Sequence, residues 1–258
     1  VFGKFHGMYQ FPEAHAFAFG VTAYQMSWLK HYWPLEFFVG LFNNQPMGFY
    51  NLETLKEDAV RHGVQVLSPD VNLSGEKAVI EDGALRMGLT HVSKLRAATA
   101  VPILEARGES GDFVSLSDFM MRTGTQQEVL DLLSAARAFD RFDEIADPDR
   151  DPRTIADRRH LRWESGLRYR PRGEKKDGTR QLAFEMPVEQ DMVALPEESG
   201  WDRMIGEYSA TGVYPQGHLM SKIRPFLPPE LKVIRSEEVR NYANGDRISV
   251  AGLVIRRQ

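Results

Sequence analysis

The stretch LTHVSKLRAATAVPILEARG, residues 89–108, decides how the rest of the chain is read. It begins as a short apolar segment, turns at Ser93-Lys94-Leu95-Arg96, and continues as a helix expected to end at Gly108. That outline is a helix-hairpin-helix, a device that grips a nucleic-acid backbone through the turn and the start of the following helix. The turn lacks the glycines that bring main-chain N–H groups close to a phosphate. Its two cations attract a phosphate from farther out. Two readings stay open at this point, a DNA-facing hairpin or two core helices with charged residues at the corner.

On the C-terminal side, SLSDFMMRTG and QQEVLDLLSAARAF read as a second helical pair. On the N-terminal side, KAVIEDGALRMG sets Asp82-Gly83 between two short apolar runs, a β-hairpin signal. VQVLSPDVN before it reads as an extended crossing. Farther upstream, Phe17, Val21, Tyr24 and Trp28 recur at helical spacing after Pro12-Glu13 and predict a helix with one buried face. Tyr24 and Trp28 are therefore expected in the core rather than as base-stacking platforms. Pro34 suits the first turn of the next helix, with Phe37, Phe38, Leu41 and Phe42 as its apolar residues. Asn51 is a cap for a third helix that ends before Gly63. The three helices are expected to form one packed unit.

Beyond the hairpins, Asp151-Pro152 is a natural start for a helix to about Gly166, and RPRGEKKDGTR has no apolar periodicity and reads as a loop. A helix from Trp201 to Tyr208 leads into TGVYPQGHLMSKIRPFLPP. NGDRISVAGLVIRRQ turns at Asn244-Gly245 and enters a strand of buried apolar character. With nothing after that strand to pair with it and no lead-in at Val1, the chain is expected to be part of a longer polypeptide.

The 258 residues are 42% hydrophobic, enough for a substantial core, and include no cysteine. Disulfides, cysteine zinc sites and thiolate catalysis are thereby excluded. No apolar run approaches the ~20 residues needed to cross a bilayer, and a cytoplasmic protein is expected. Net charge is −4, so there is no global basic footprint for nucleic acid. The charge is unevenly spread, however. Between Arg150 and Arg180 eleven Lys/Arg face five Asp/Glu, a local surplus that can hold phosphates or form a solvated linker.

The seven histidines include no metal-ligand pair at helical spacing, and neither a nucleophile elbow nor a phosphate-cradling loop is present. Asp147, Asp149 and Asp151 alternate, but a calcium loop needs glycine at its sixth position and glutamate at its twelfth, where Pro152 and Arg158 stand. The residues contain no recognisable catalytic constellation.

Several motifs in one order nevertheless resemble a known family. FPEAHAFAFGVTAYQMSWLKHYWPLEFF is similar to the F-P-E-S-H-A segment and W-L-K helix in the fingers of the bacterial DNA polymerase III α subunit, error-prone DnaE-type branch. NNQPMGFYNLETLKEDAVRHGVQVLSPDVN resembles its Q-P-M-G-F-Y segment and the R-x-x-G-h-x-V-x-x-x-D-h-N crossing of the α subunits. LRMGLTHV through ILEAR, FVSLSDFMMRTG, LLSAARAFDRF, EQDMVALP, TGVYPQGHLM and ISVAGLVIRRQ follow in family order.

The resemblance implies a mainly α fold. Residues 1–76 would be the C-terminal part of the fingers, and 77–140 a β-hairpin with a degenerate tandem helix-hairpin-helix. Residues 141–240 would be a basic helix, loop and connector, and 241–258 the first strand of a truncated OB fold. It further implies a template-directed, error-prone DNA polymerase of damage-induced mutagenesis, with its catalytic aspartates and Mg2+ in a palm outside these residues. The chain by itself is then expected not to polymerise DNA.

DNA-contacting candidates are Ser93, Lys94, Arg96, Arg107, Arg137, Arg158, Arg159 and Arg162, and candidates in the fingers are Lys4, His15, Gln25 and Lys30. Gln181, Leu182 and Phe184 partly match a clamp-binding peptide, so primer–template DNA, the sliding clamp and accessory mutagenesis proteins are the implied partners. An alternative is a scaffold serving mainly protein contacts. Against the family's I-K-G-V-G-E-A, the turn reads V-S-K-L-R-A-A, with Lys94 and Arg96 at the two glycine positions. Arg137 likewise replaces a glycine of A-G-A-F, and Ala14 the serine of F-P-E-S-H-A.

Overall fold

The computed structural model describes residues 13–48, 50–142, 158–169, 195–196 and 198–254. The expected N-terminal helices are present. Helix α1 spans Glu13–Tyr32, with Glu13 in its first turn and Lys30 and His31 in its last, matching the helix dipole. Helix α2 spans Pro34–Asn43 and buries Phe38 and Phe42. Helix α3, Leu52–Arg61, is capped by Asn51, whose side chain accepts the Thr54 N–H at 2.8 Å. Gly63, at φ +78°, turns the chain away from it.

One expectation about these helices fails. The stripe on α1 is not buried, with Phe17 74% and Tyr24 71% exposed, and Val21 and Trp28 also open. Tyr24 and Trp28 are therefore surface residues rather than core. Helical periodicity shows that one face is apolar, but it does not supply a neighbour, and no described element covers this one. The C-terminal end of α1 is held instead by Lys30, which lies 2.6 Å from Asp58 of α3 and 5.6 Å above the Phe38 ring.

Next comes a three-stranded sheet in the order β1 (Val66–Leu67), β3 (Ala84–Arg86), β2 (Val79–Glu81). Strands β2 and β3 form the expected antiparallel hairpin, with Ile80 opposite Leu85. Both loop residues, Asp82 and Gly83, have positive φ (47° and 80°), as a two-residue turn matched to strand twist requires. The sheet packs on α2 and α3 around Phe38, Phe42, Leu55, Leu85 and Met87.

A second core belongs to the hairpin helices α4 (Ala97–Ser110), α5 (Leu116–Thr123) and α6 (Gln127–Ala135). Helix α4 runs two residues past Gly108 and stops at Gly111, φ +78°. Phe119 bridges Phe113 and Phe139, with ring centroids 4.9 and 5.1 Å apart and near-perpendicular planes. The crossing motif fastens this core to the sheet. Asp70 Oδ1 accepts the N–H groups of Asn72 and Leu73, and the Asn72 amide pairs with both backbone groups of Phe113 at 2.8 Å. The aspartate and asparagine of that motif thus close a buried turn.

Helix α7 is described over Arg158–Arg168; the start expected at Asp151-Pro152, the alternating aspartates and the RPRGEKKDGTR loop lie outside the described residues. Helix α8, Gly200–Thr211, is longer than the sequence suggests, because Ser199 caps it and Gly212 at φ +72° ends it. Its end joins the two cores, since Ala210 sits in the hairpin core and Val213 in the sheet core. The segment that follows is locked to α3. Buried Lys56 lies 2.9 Å from Glu53 and donates to the Gly217 carbonyl at 2.7 Å, and Glu53 accepts the Tyr214 N–H at 2.8 Å. Beyond helix α9 (Leu219–Ile223), strand β5 (Ser249–Val250) lies parallel to β4 (Val233–Ile234). Contrary to the buried character expected of it, both β5 residues are exposed, because the two-strand pair has no third layer among the described residues.

Candidate nucleic-acid interface

The first hairpin is built on a close backbone approach. Gly88 lies against the segment before β2, where a Cβ would come within 2.3 Å of the Lys77 carbonyl carbon. The Leu89 and Thr90 N–H groups donate to the Gly75 and Glu76 carbonyls at 3.0 Å, fixing the short 3-10 turn Leu89–His91. The chain then passes through Val92 and Leu95, both buried, with Ser93, Lys94 and Arg96 outside. The Ser93 N–H is taken by the Ala210 carbonyl at 2.7 Å, so α8 holds the turn from below.

Lys94 has φ +65°, in the left-handed region that favours glycine. The lysine takes a backbone conformation that glycine adopts without strain. Arg137, at φ +69°, does the same in the AARAF turn after α6. Arg96 has an ordinary φ of −91° and forms the N-cap of α4. That helix start has no side-chain cap and no acidic residue in its first turn, leaving its positive end open to an anion.

The second hairpin joins α5 to α6 through Gly124, φ +60°, and Gln126, again an N-cap without a side-chain bond. The two turns meet. Lys94 Nζ forms an ion pair with Glu128 in the first turn of α6. This contact crosses from one hairpin to the other, and the spacing of the residues in sequence gives no sign of it.

The remaining candidate cations separate into committed and open groups. Arg107 is half-buried and donates to the Val71 and Ser74 carbonyls at 2.9 Å, fastening the crossing to α4. Arg158 is 1% exposed, lies 2.7 Å from Glu207 and donates to the Ala135 carbonyl. Arg137 pairs with Asp140 at 2.5 Å. Burial pushes the Glu207 carboxyl above the usual range, although Arg158 and Arg137 pull it down. Arg159 donates to the Pro196 carbonyl at 2.8 Å. Arg96 and Arg162 are exposed, with no side-chain ion pair among the described residues.

In the helical N-terminal unit, Lys30 is tied to Asp58, the His15 ring lies 4.4 Å from that of Phe19 at a tilt of 59°, and Gln25 is exposed. Gln25 lines two shallow hollows on α1 together with Phe17, Tyr24 and Trp28. Lys4, Gln181, Leu182 and Phe184 lie outside the described residues. Among the described residues, no group of three or more His, Asp or Glu gathers to hold a metal ion. None of the described helices is long and apolar enough to cross a membrane.

Residues 63–148 match the family model described as a helix-hairpin-helix motif, which takes in both turns. An error-prone DNA polymerase of Dechloromonas aromatica (strain RCB) is 32% identical over 253 residues, covering 98% of this chain and 23% of its own length. That of Anaeromyxobacter dehalogenans (strain 2CP-C) is 35% identical over 263 residues, covering 97% and 21%. That of Nocardia farcinica (strain IFM 10152) is 33% identical over 250 residues, covering 96% and 21%. The chain spans about a fifth of the length of these relatives.

Proposed function

Because this chain belongs to the error-prone DNA polymerase family, we propose that it forms the DNA-holding part of a template-directed polymerase. In this reading the tandem hairpins contact the phosphate backbone of the primer–template duplex, with little preference for sequence. The observation that carries it is the first turn, where Lys94 holds a left-handed backbone at a glycine position and exposed Arg96 stands at an uncapped helix start. In the same reading, nucleotidyl transfer and the Mg2+ it uses belong to a palm outside these residues. A cytoplasmic location goes with the same reading.

Arg96→Ala tests it. The variant is expected to weaken binding to primer–template duplex and to flatten the plot of log affinity against log salt by about one unit. Unchanged affinity and slope would remove the first hairpin from the DNA contact.

A second reading, in which this region serves mainly protein contacts, is favoured by the exposed aromatic face of α1. Pull-down with the sliding clamp and accessory mutagenesis factors, beside the duplex titration, separates the two.

A further inference from the structure

We infer that Glu128 is an internal competitor for DNA, occupying the Lys94 ammonium until a duplex phosphate displaces it. The inference rests on the reading of the tandem hairpins as a DNA-facing surface. It adds a residue of the opposite sign that sets how firmly they grip.

Three features support it. Lys94 and Glu128 come from different hairpins, so the pair lies where the two turns converge. Both side chains are open to solvent, 62% and 63% exposed, and such a pair is weak enough to exchange partners. Glu128 also occupies the first turn of α6, where the helix dipole favours an anion. The position therefore already holds a negative group of the kind a phosphate would supply.

Duplex DNA presents one charge per ~1.7 Å of helix axis and releases counter-ions when these are neutralised. A single carboxylate loses that competition at low salt and regains Lys94 as salt rises. Arg96, two residues along and exposed, has no ion pair among the described residues and is open to duplex across the salt series. A hairpin pair built in this way holds DNA through Arg96, unpaired among the described residues, and through Lys94, whose availability is conditional. The grip is thereby tempered, as suits a surface that must slide along the duplex.

The test is a double-mutant cycle on the 258-residue chain. Fluorescence anisotropy with a labelled primer–template duplex is recorded across a potassium chloride series for wild type, Glu128→Gln, Lys94→Ala and the double variant. Glu128→Gln is expected to tighten binding about two- to fivefold at low salt and to steepen the salt dependence by up to about one unit. Lys94→Ala alone should weaken binding at low salt and change it little at high salt, where Glu128 holds the lysine, and the gain from Glu128→Gln should vanish in the Lys94→Ala background.

An equal gain in both backgrounds would mean that Glu128 acts only as bulk negative charge, overturning the inference. So would unchanged binding with a lowered melting temperature in Glu128→Gln, which would make the pair a brace between the hairpins. Each of these results leaves the DNA-facing reading standing. Absence of salt-dependent duplex binding in every variant would overturn that reading and the inference with it.

Discussion

At the scale of the residue, Lys94 shows two demands met by one side chain. Its backbone takes a conformation in which a Cβ is strained, by roughly 1–2 kcal/mol for an ordinary L-residue. Its ammonium is the part that an electrostatic contact needs. These demands separate on substitution. Lys94→Gly is expected to raise stability by about 0.5–1 kcal/mol, the relief being partly offset by the greater freedom of an unfolded glycine. Lys94→Ala keeps the Cβ and should give no such gain. Equal urea midpoints for the two variants would contradict the left-handed assignment.

At the scale of the element, Gly88 is the sharper constraint. Its φ is ordinary, but a side chain there would strike the Glu76-Lys77 backbone, which cannot swing aside as a side-chain tip can. Gly88→Ala is expected to displace the 3-10 turn and lower stability by about 2 kcal/mol or more. Equilibrium unfolding in denaturant checks this.

Much at this scale could be read in the sequence. Asn51, Pro34 and Asp82-Gly83 act through neighbours a few residues away, so their caps and turns follow from local pattern. The two helical pairs after the sheet could be placed for the same reason, whereas their reading as a tandem hairpin comes from the family resemblance. What covers a face could not, because the apolar spacing of Phe17 to Trp28 is the same whether or not something packs on it. Nor could the pairing of Lys94 with Glu128, or the diversion of Arg107 and Arg158 to carbonyls and a carboxylate. Those depend on contacts between distant segments, while a basic residue looks alike in sequence whether it is free or engaged.

At the scale of the molecule, His91 spans the two cores. It belongs to the turn that leads into the first hairpin, and its Nε2 lies 3.2 Å from the Phe42 carbonyl of α2. Burial holds its pKa below the ordinary histidine range, with the Phe42 carbonyl opposing that shift. A folded pKa below the unfolded one means that the unfolded chain takes up the proton first as pH falls. The stabilisation is complete above the ordinary histidine value and is lost as pH drops through it toward the depressed folded value. Melting temperature should therefore fall between about pH 7.5 and 5.5, and by less in His91→Gln than in wild type. Equal falls in the two proteins would show that His91 takes up its proton alike in the folded and unfolded chains.

The bond from Ser93 to the Ala210 carbonyl has a consequence for the order in which the protein is made. During synthesis every residue of the first hairpin leaves the ribosome well before its acceptor has been translated. Glu53 and Lys56 wait longer still, for Tyr214 and Gly217, each 161 residues farther along the chain. The nascent hairpin must therefore spend that interval with its turn unanchored, and it is completed only by the late arrival of α8.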